Sequence, residues 1–200
     1  MRRGLDIILS LAGLFVFSPL MALIAIAVKA SDGGPVIFRQ ERVGMNFKPF
    51  SIYKFRTMKE DGRNINAPLV TFRGDNRITR VGAFLRRYKL DELPQLVNVL
   101  AGDMSFVGPR PEVWKYVDKF RGQYSKLLSV RPGITDPASI AYSEEEKLTC
   151  QSEKSEDTYL ALILPEKIRL SSDYIEKRGL LKDIGLIITT VFKSWRHKAE

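Results

Sequence analysis

From Ile7 to Val28 the chain carries 22 consecutive residues without a charge, bounded by Asp6 and Lys29. At about 1.5 Å per residue this run makes a helix ~33 Å long, enough to cross the hydrocarbon of a bilayer. A cleavable secretory leader is the first rival, because Arg2-Arg3 precede the run and Ala25-Ile26-Ala27 ends it like a cleavage site. Such leaders carry an apolar core of only ~7–15 residues, so the segment reads as a retained membrane helix. Ser18-Pro19 divides it. Pro19 has no N–H, which leaves the Phe15 carbonyl without its helical donor, and the Ser18 hydroxyl is well placed to replace it. Two topologies follow. One is a kinked spanning helix; the other is a pair of arms, each ~15 Å long, that return the chain to its side of entry. Positive charge flanks the run on both sides, so the positive-inside rule does not favour opposite placement of the ends.

Beyond Gly33-Gly34-Pro35 the period shortens. Val36–Gln40 and Phe50–Arg56 are rich in β-branched and aromatic residues with partial alternation, and Gly44-Met45-Asn46 supplies a turn between them, predicting a small β-hairpin. On the second strand Phe50, Ile52, Lys54 and Arg56 share a face, which sets two cations side by side. Residues 59–76 are polar and read as a loop. From Val81 the spacing of Phe84, Leu85 and Tyr88 predicts a helix, followed by Leu90–Leu100 with Asp91 as N-cap, Pro94 in the first turn and Gly102 as terminator. Val113, Val117, Phe120, Tyr124 and Leu127 mark a further amphipathic helix, closed by Arg131–Thr135. Leu180–Trp195 is apolar with Lys193, Arg196 and Lys198 at its end, as in a helix lying at a membrane interface. The fold class is α+β and mostly helical, with residues 1–30 as membrane helix and 31–200 as a domain on the membrane surface.

Composition narrows the chemistry. The 200 residues carry a net charge of +9, concentrated where residues 36–90 hold 13 Lys/Arg against 4 Asp/Glu. A local positive field points to an anionic partner: a phosphorylated small molecule, anionic lipid or nucleic acid. The single Cys150 and single His197 exclude an internal disulfide, a thiolate cluster and a multi-His metal site. Carboxylates, Lys, Arg and hydroxyls remain. Asp91, beside the positive end of a helix and near Arg86 and Arg87, is expected to be ionised, either as a simple cap or as a nucleophile or metal ligand. Pro109 and Pro111 hold Arg110 between two fixed backbone angles, where it can fork onto phosphate oxygens.

Taken together these residues resemble the bacterial sugar transferase family, the monotopic phosphoglycosyl transferases. The resemblance rests on Phe17-Ser18-Pro19, Tyr53–Met58, Leu90–Leu96, Gly102–Pro111 and Arg131–Thr135, in that order. It implies a re-entrant helix broken at Ser18-Pro19 and held on the cytoplasmic face of the bacterial inner membrane. It also implies transfer of a phosphosugar from a UDP-sugar to undecaprenyl or another polyprenyl phosphate, the first membrane step of a glycan pathway. By resemblance Asp91 is the nucleophile and Mg²⁺ ligand, and Glu92 orients the metal or handles the incoming phosphate. Lys54, Arg56, Arg86 and Arg110 face phosphate, with Arg131 in a lesser role. The chain resembles the minimal form of the family, and a homodimer is left open. After Thr135 it departs from a common family pattern, with Asp136-Pro137-Ala138-Ser139-Ile140 and the acidic Glu144-Glu145-Glu146, so the sugar stays unassigned.

Two other classes explain part of the pattern. A membrane-anchored module for nucleic acid or anionic lipid accounts for the charge but not for the carboxylate pair or the Pro-framed Arg110; no nucleic-acid partner is expected. A membrane-bound diphosphatase would use the same aspartyl phosphate and differ only in its acceptor, water.

Overall fold

The computed structural model describes residues 2–59, 75–142 and 155–196. Most of the loop at 59–76, the Glu144–Glu146 run, Cys150, His197 and Lys198 lie outside them. The apolar N-terminal run forms one helix, α1 (Arg2–Asp32). It continues through Ser18-Pro19 where the sequence suggests a break. The Ser18 Oγ donates to the Phe15 carbonyl at 2.8 Å, replacing the bond that Pro19 cannot make. The middle of α1 is bare, with Phe15 83% and Leu23 65% exposed. Its ends are not.

The expected hairpin is present as β1 (Ile37–Val43) and β2 (Pro49–Phe55), antiparallel, with Ile37 opposite Phe55 and Val43 opposite Pro49. The turn between them uses Asn46 and Phe47 at positive φ. Next come α2 (Arg80–Arg87), capped by the Thr79 hydroxyl on the Gly82 N–H, and α3 (Gln95–Ala101), with a 3₁₀ turn, Leu90–Glu92, between them. Gly102 ends α3 at φ +96°, a conformation that favours glycine.

A second sheet is absent from the sequence reading. β3 (Ser105–Val107) pairs in parallel with β4 (Gly133–Thr135), joining the Gly-Pro-Arg-Pro turn to the segment read as a helix terminator. Three-residue strands have too little alternation to announce themselves, and only the crossover brings them together. Their backbones cross so closely at Gly108 and Gly133 that a Cβ on Gly133 would lie 2.1 Å from the Gly108 nitrogen.

The amphipathic run at 113–127 is split at Phe120 into α4 (Trp114–Lys119) and α5 (Arg121–Leu127), which bury Val117, Tyr124 and Leu127 as the spacing predicts. After α6 (Pro137–Ala141), a short α7 (Ser155–Thr158) runs through a π turn, Tyr159–Ile163, into α8 (Leu164–Glu176), and α9 (Leu180–Arg196) closes the fold. Leu181, Ile184, Ile188, Val191 and Phe192 form an exposed apolar stripe on α9.

Both ends of α1 rest on this body. At the start, Arg2 pairs with Asp183 of α9 at 3.1 Å, and Asp6 accepts from the Ser105 hydroxyl and the Phe106 N–H. Further along the N-terminal half, before the bare stretch, Gly13 approaches Leu96 of α3 so closely that a Cβ would sit 3.1 Å from a leucine methyl. At the far end, Ile24 and Val28 pack with Phe55 and Leu85, and Asp32 pairs with Arg56.

Candidate active site

The site is built where α2 turns into α3. Lys89 adopts a left-handed conformation, φ +57°, which folds the chain out of α2 and into the Leu90–Glu92 turn. A non-glycine residue held there stores strain of order 1 kcal/mol, a feature that gathers at functional sites. Leu90 and Leu93 pack down onto the Ile24–Val28 end of α1. Asp91 and Glu92, between these two anchors, turn into the body. The expected cap is therefore absent. Asp91 lies inside the 3₁₀ turn, and Pro94 rather than Asp91 precedes the first residue of α3. With i→i+3 bonding from Lys89 to Val97, the chain coils too tightly for an Asp91 cap.

Glu92 is the hub of the charges. Its Oε1 accepts from Lys54 Nζ and from Arg110, each at 2.7 Å. Burial alone would push the Glu92 carboxyl up; Arg110, Lys54 and Lys89 outweigh it and hold it well below the usual carboxylate range. Burial lowers the Lys54 ammonium, with Glu92 opposing. Asp91 behaves oppositely to its neighbour. Burial first, then the Glu92 charge, raises its carboxyl despite Lys54, Lys89 and Arg86 nearby. Desolvation exceeds the pull of those cations, so ionising Asp91 costs more here than it would in water. Asp91 Oδ1 is buried and accepts no hydrogen bond from any described group.

The other cations named from the sequence are dispersed. Arg56, 5% exposed, lies beyond the end of β2 and serves Asp32 and the cramped Gly34 turn rather than the Asp91 site. Lys54 and Arg56 therefore do not stand side by side. Arg131 donates its Nε to the Gly102 carbonyl at 2.8 Å and holds the end of α3. Arg86 contributes to the field at Asp91. Ser18 and Pro19 lie in the exposed middle of α1. Of the predicted set the fold brings together Asp91, Glu92, Lys54, Arg110 and Arg86.

Supporting residues were not legible in the pattern. Asn98, fully buried, accepts from the Tyr53 N–H at 3.0 Å and donates to the Ser51 carbonyl at 2.7 Å, fixing α3 to β2 and hence Glu92 to Lys54. Arg42 reaches the Pro111 carbonyl and Glu112, while the Tyr159 hydroxyl donates to Glu112 at 2.8 Å. These bonds hold the segment that presents Arg110. A polar residue within an apolar helical run was the one available signal for Asn98.

The arrangement is one buried, unpartnered carboxylate oxygen next to an anion that gathers two cations. The family model for the bacterial sugar transferases matches residues 1–197. The chain belongs to the bacterial sugar transferase family. Among its curated relatives is the UDP-glucose:undecaprenyl-phosphate glucose-1-phosphate transferase of Escherichia coli, 40% identical over 202 residues, covering 100% of this chain and 41% of that protein. An identically named protein of Caulobacter vibrioides is 37% identical, covering 95% of this chain and 68% of the relative. The UDP-N-acetylgalactosamine-undecaprenyl-phosphate N-acetylgalactosaminephosphotransferase of Aeromonas hydrophila is also 37% identical, covering 95% and 42%. This member of the family therefore spans about two fifths of the length of two of these relatives.

Proposed function

We propose that this chain transfers a phosphosugar from a UDP-sugar to a polyprenyl phosphate at the cytoplasmic face of the bacterial inner membrane. The observation that carries the reading is the unpartnered, buried Asp91 oxygen beside the Glu92–Lys54–Arg110 cluster. A structural carboxylate takes up its donors; one without them is poised for a ligand or a covalent bond. The relatives' names supply the substrate class.

The Asp91 carboxylate attacks the β-phosphorus of the UDP-sugar, the bond to the bridging oxygen breaks, and UMP leaves with that electron pair. An oxygen of the polyprenyl phosphate then attacks the same phosphorus, forming the polyprenyl diphosphate sugar and releasing the Asp91 carboxylate. Splitting one transfer into two is the advantage of a covalent nucleophile. Lys54 and Arg110 offset the charge on the diphosphate. Glu92, already committed to both cations, serves as the counter-ion that holds them in place rather than as a base.

Mg²⁺ fits this site. Among the described residues no three His, Cys, Asp or Glu side chains gather into a metal cage. Mg²⁺ prefers one or two carboxylates with waters and substrate phosphates, which the free Asp91 oxygen suits. When bound there it would neutralise phosphate charge and favour the ionised Asp91.

The membrane reading rests on α1 and α9. The bare middle of α1 and the apolar stripe of α9 enter lipid, and α1 enters and leaves the same leaflet. Support comes from Arg2 and Asp32, which sit at opposite ends of α1 and both pair with the one body.

The test is isotope exchange. With Mg²⁺ and each of UDP-glucose and UDP-N-acetylgalactosamine, but no acceptor, labelled UMP should enter the matching UDP-sugar, and a sugar phosphate should be found on the Asp91 peptide. Lipid product formed without exchange or adduct would favour direct attack by the acceptor. Sugar phosphate released to water when acceptor is present would favour the diphosphatase.

A further inference from the structure

The end of α3 remote from the carboxylates is held by an arginine of the membrane helix. Arg3 donates to the carbonyls of Val99 at 2.5 Å and Leu100 at 2.7 Å, and Arg131 donates to that of Gly102. The last turn of a helix leaves its carbonyls short of donors: the Val99 carbonyl shares the Gly102 N–H with that of Asn98, at 3.2 Å, and the planar guanidinium reaches both Val99 and Leu100. Asp6 fastens the same turn of α1 to Ser105 and Phe106, so the arginine arrives on a fixed mount.

Asn98 pins α3 to β2 between Arg3 and the site. α3 therefore joins the end held by Arg3 to the Asp91–Glu92 turn, whose other anchors are Leu90 and Leu93 on α1 and the two cations on Glu92. A displacement of ~1 Å at a reacting centre costs about a hundredfold in rate.

We propose that Arg3 is a positioning residue for the Asp91–Glu92 turn, acting through α3, so that the first turn of the membrane helix and the reaction centre form one mechanical unit. The proposal rests on the site assigned above. Arg3 touches no reacting atom; its effect falls on the placement of the carboxylates.

The experiment compares wild type, Arg3→Gln and Arg3→Lys as full-length protein in membranes. Three quantities are read: kcat and KM with undecaprenyl phosphate and each of the two UDP-sugars, amide hydrogen exchange, and the labelling side of a cysteine at position 4. Arg3→Gln should lower kcat ten- to a hundredfold, change KM for the UDP-sugar less than threefold, and raise exchange over Gln95–Ala101 but not over Ile37–Phe55. Arg3→Lys, which keeps the charge and one donor arm, should recover part of each loss.

Wild-type kcat and exchange in Arg3→Gln would overturn the proposal. So would an Arg3→Gln loss accompanied by a changed labelling side while Arg3→Lys matches wild type, since charge and topology would then be the whole effect. A wild-type protein that releases no UMP would remove the transferase reading, and the exchange comparison would still decide the role of Arg3.

Discussion

Lys54 and Glu92, 38 residues apart in the chain, meet at 2.7 Å through side chains that are 20% and 10% exposed. The same Glu92 oxygen also takes Arg110. Removing the shared anion leaves two half-buried cations near each other; breaking a fully buried pair from one side costs ~3–5 kcal/mol, and this partly exposed one should cost less. Glu92→Gln should therefore melt well below wild type, while Lys54→Met, which leaves Glu92 with Arg110, should cost clearly less. Equal losses in thermal unfolding would show that Glu92 is not the hub.

Asp91 is held at a cost to the fold. Its carboxylate is buried beside Glu92 with one oxygen unpartnered, so a neutral amide of the same shape relieves desolvation and like-charge repulsion. Asp91→Asn should abolish UMP release yet melt at the same temperature as wild type or higher, measured without divalent metal. Substantial activity in a preparation free of deamidation would exclude Asp91 as nucleophile.

Arg56 should behave as a structural residue. Its guanidinium is buried and pairs with Asp32, where the sequence had set it against phosphate. Arg56→Met and Asp32→Asn should each destabilise the protein, Asp32→Asn by ~3 kcal/mol because the buried cation stays behind. KM for the UDP-sugar should stay within about threefold. A large rise in KM with unchanged stability would return Arg56 to the substrate.

The topology of α1 has its own measurement. A cysteine at position 2 and one at position 48 should be labelled from the same side of sealed vesicles. Replacing Pro19 by Leu lowers the cost of a straight helix by ~3 kcal/mol and should move a fraction of chains to a spanning arrangement with residue 2 on the far side. Labelling of position 2 from the opposite side in the wild-type background would refute the re-entrant reading.

The elements set by local periodicity were legible without the fold. The apolar run, the hairpin with its turn, Gly102 as terminator, and Ser18 bonding the Phe15 carbonyl all follow from spacing and backbone chemistry within a few residues. Asp91, Glu92, Lys54 and Arg110 were also singled out, from residue type and from the ordered motifs. What each of them contacts was decided only by tertiary structure. Lys54 and Arg56 are two positions apart in the chain, yet one reaches Glu92 and the other Asp32, because β2 ends between them and the partners come from the Leu90–Glu92 turn and from α1. The dipole and nearby arginines that favour an ionised Asp91 are visible in sequence, whereas the burial that raises its carboxyl against them is a property of the packed chain. The β3–β4 pair, the Asn98 pivot and the grip of Arg3 on α3 join residues 28, 45 and 96 positions apart. A pattern read over one or two turns carries no information about contacts at that range, and closing the chain around α3 is what creates them.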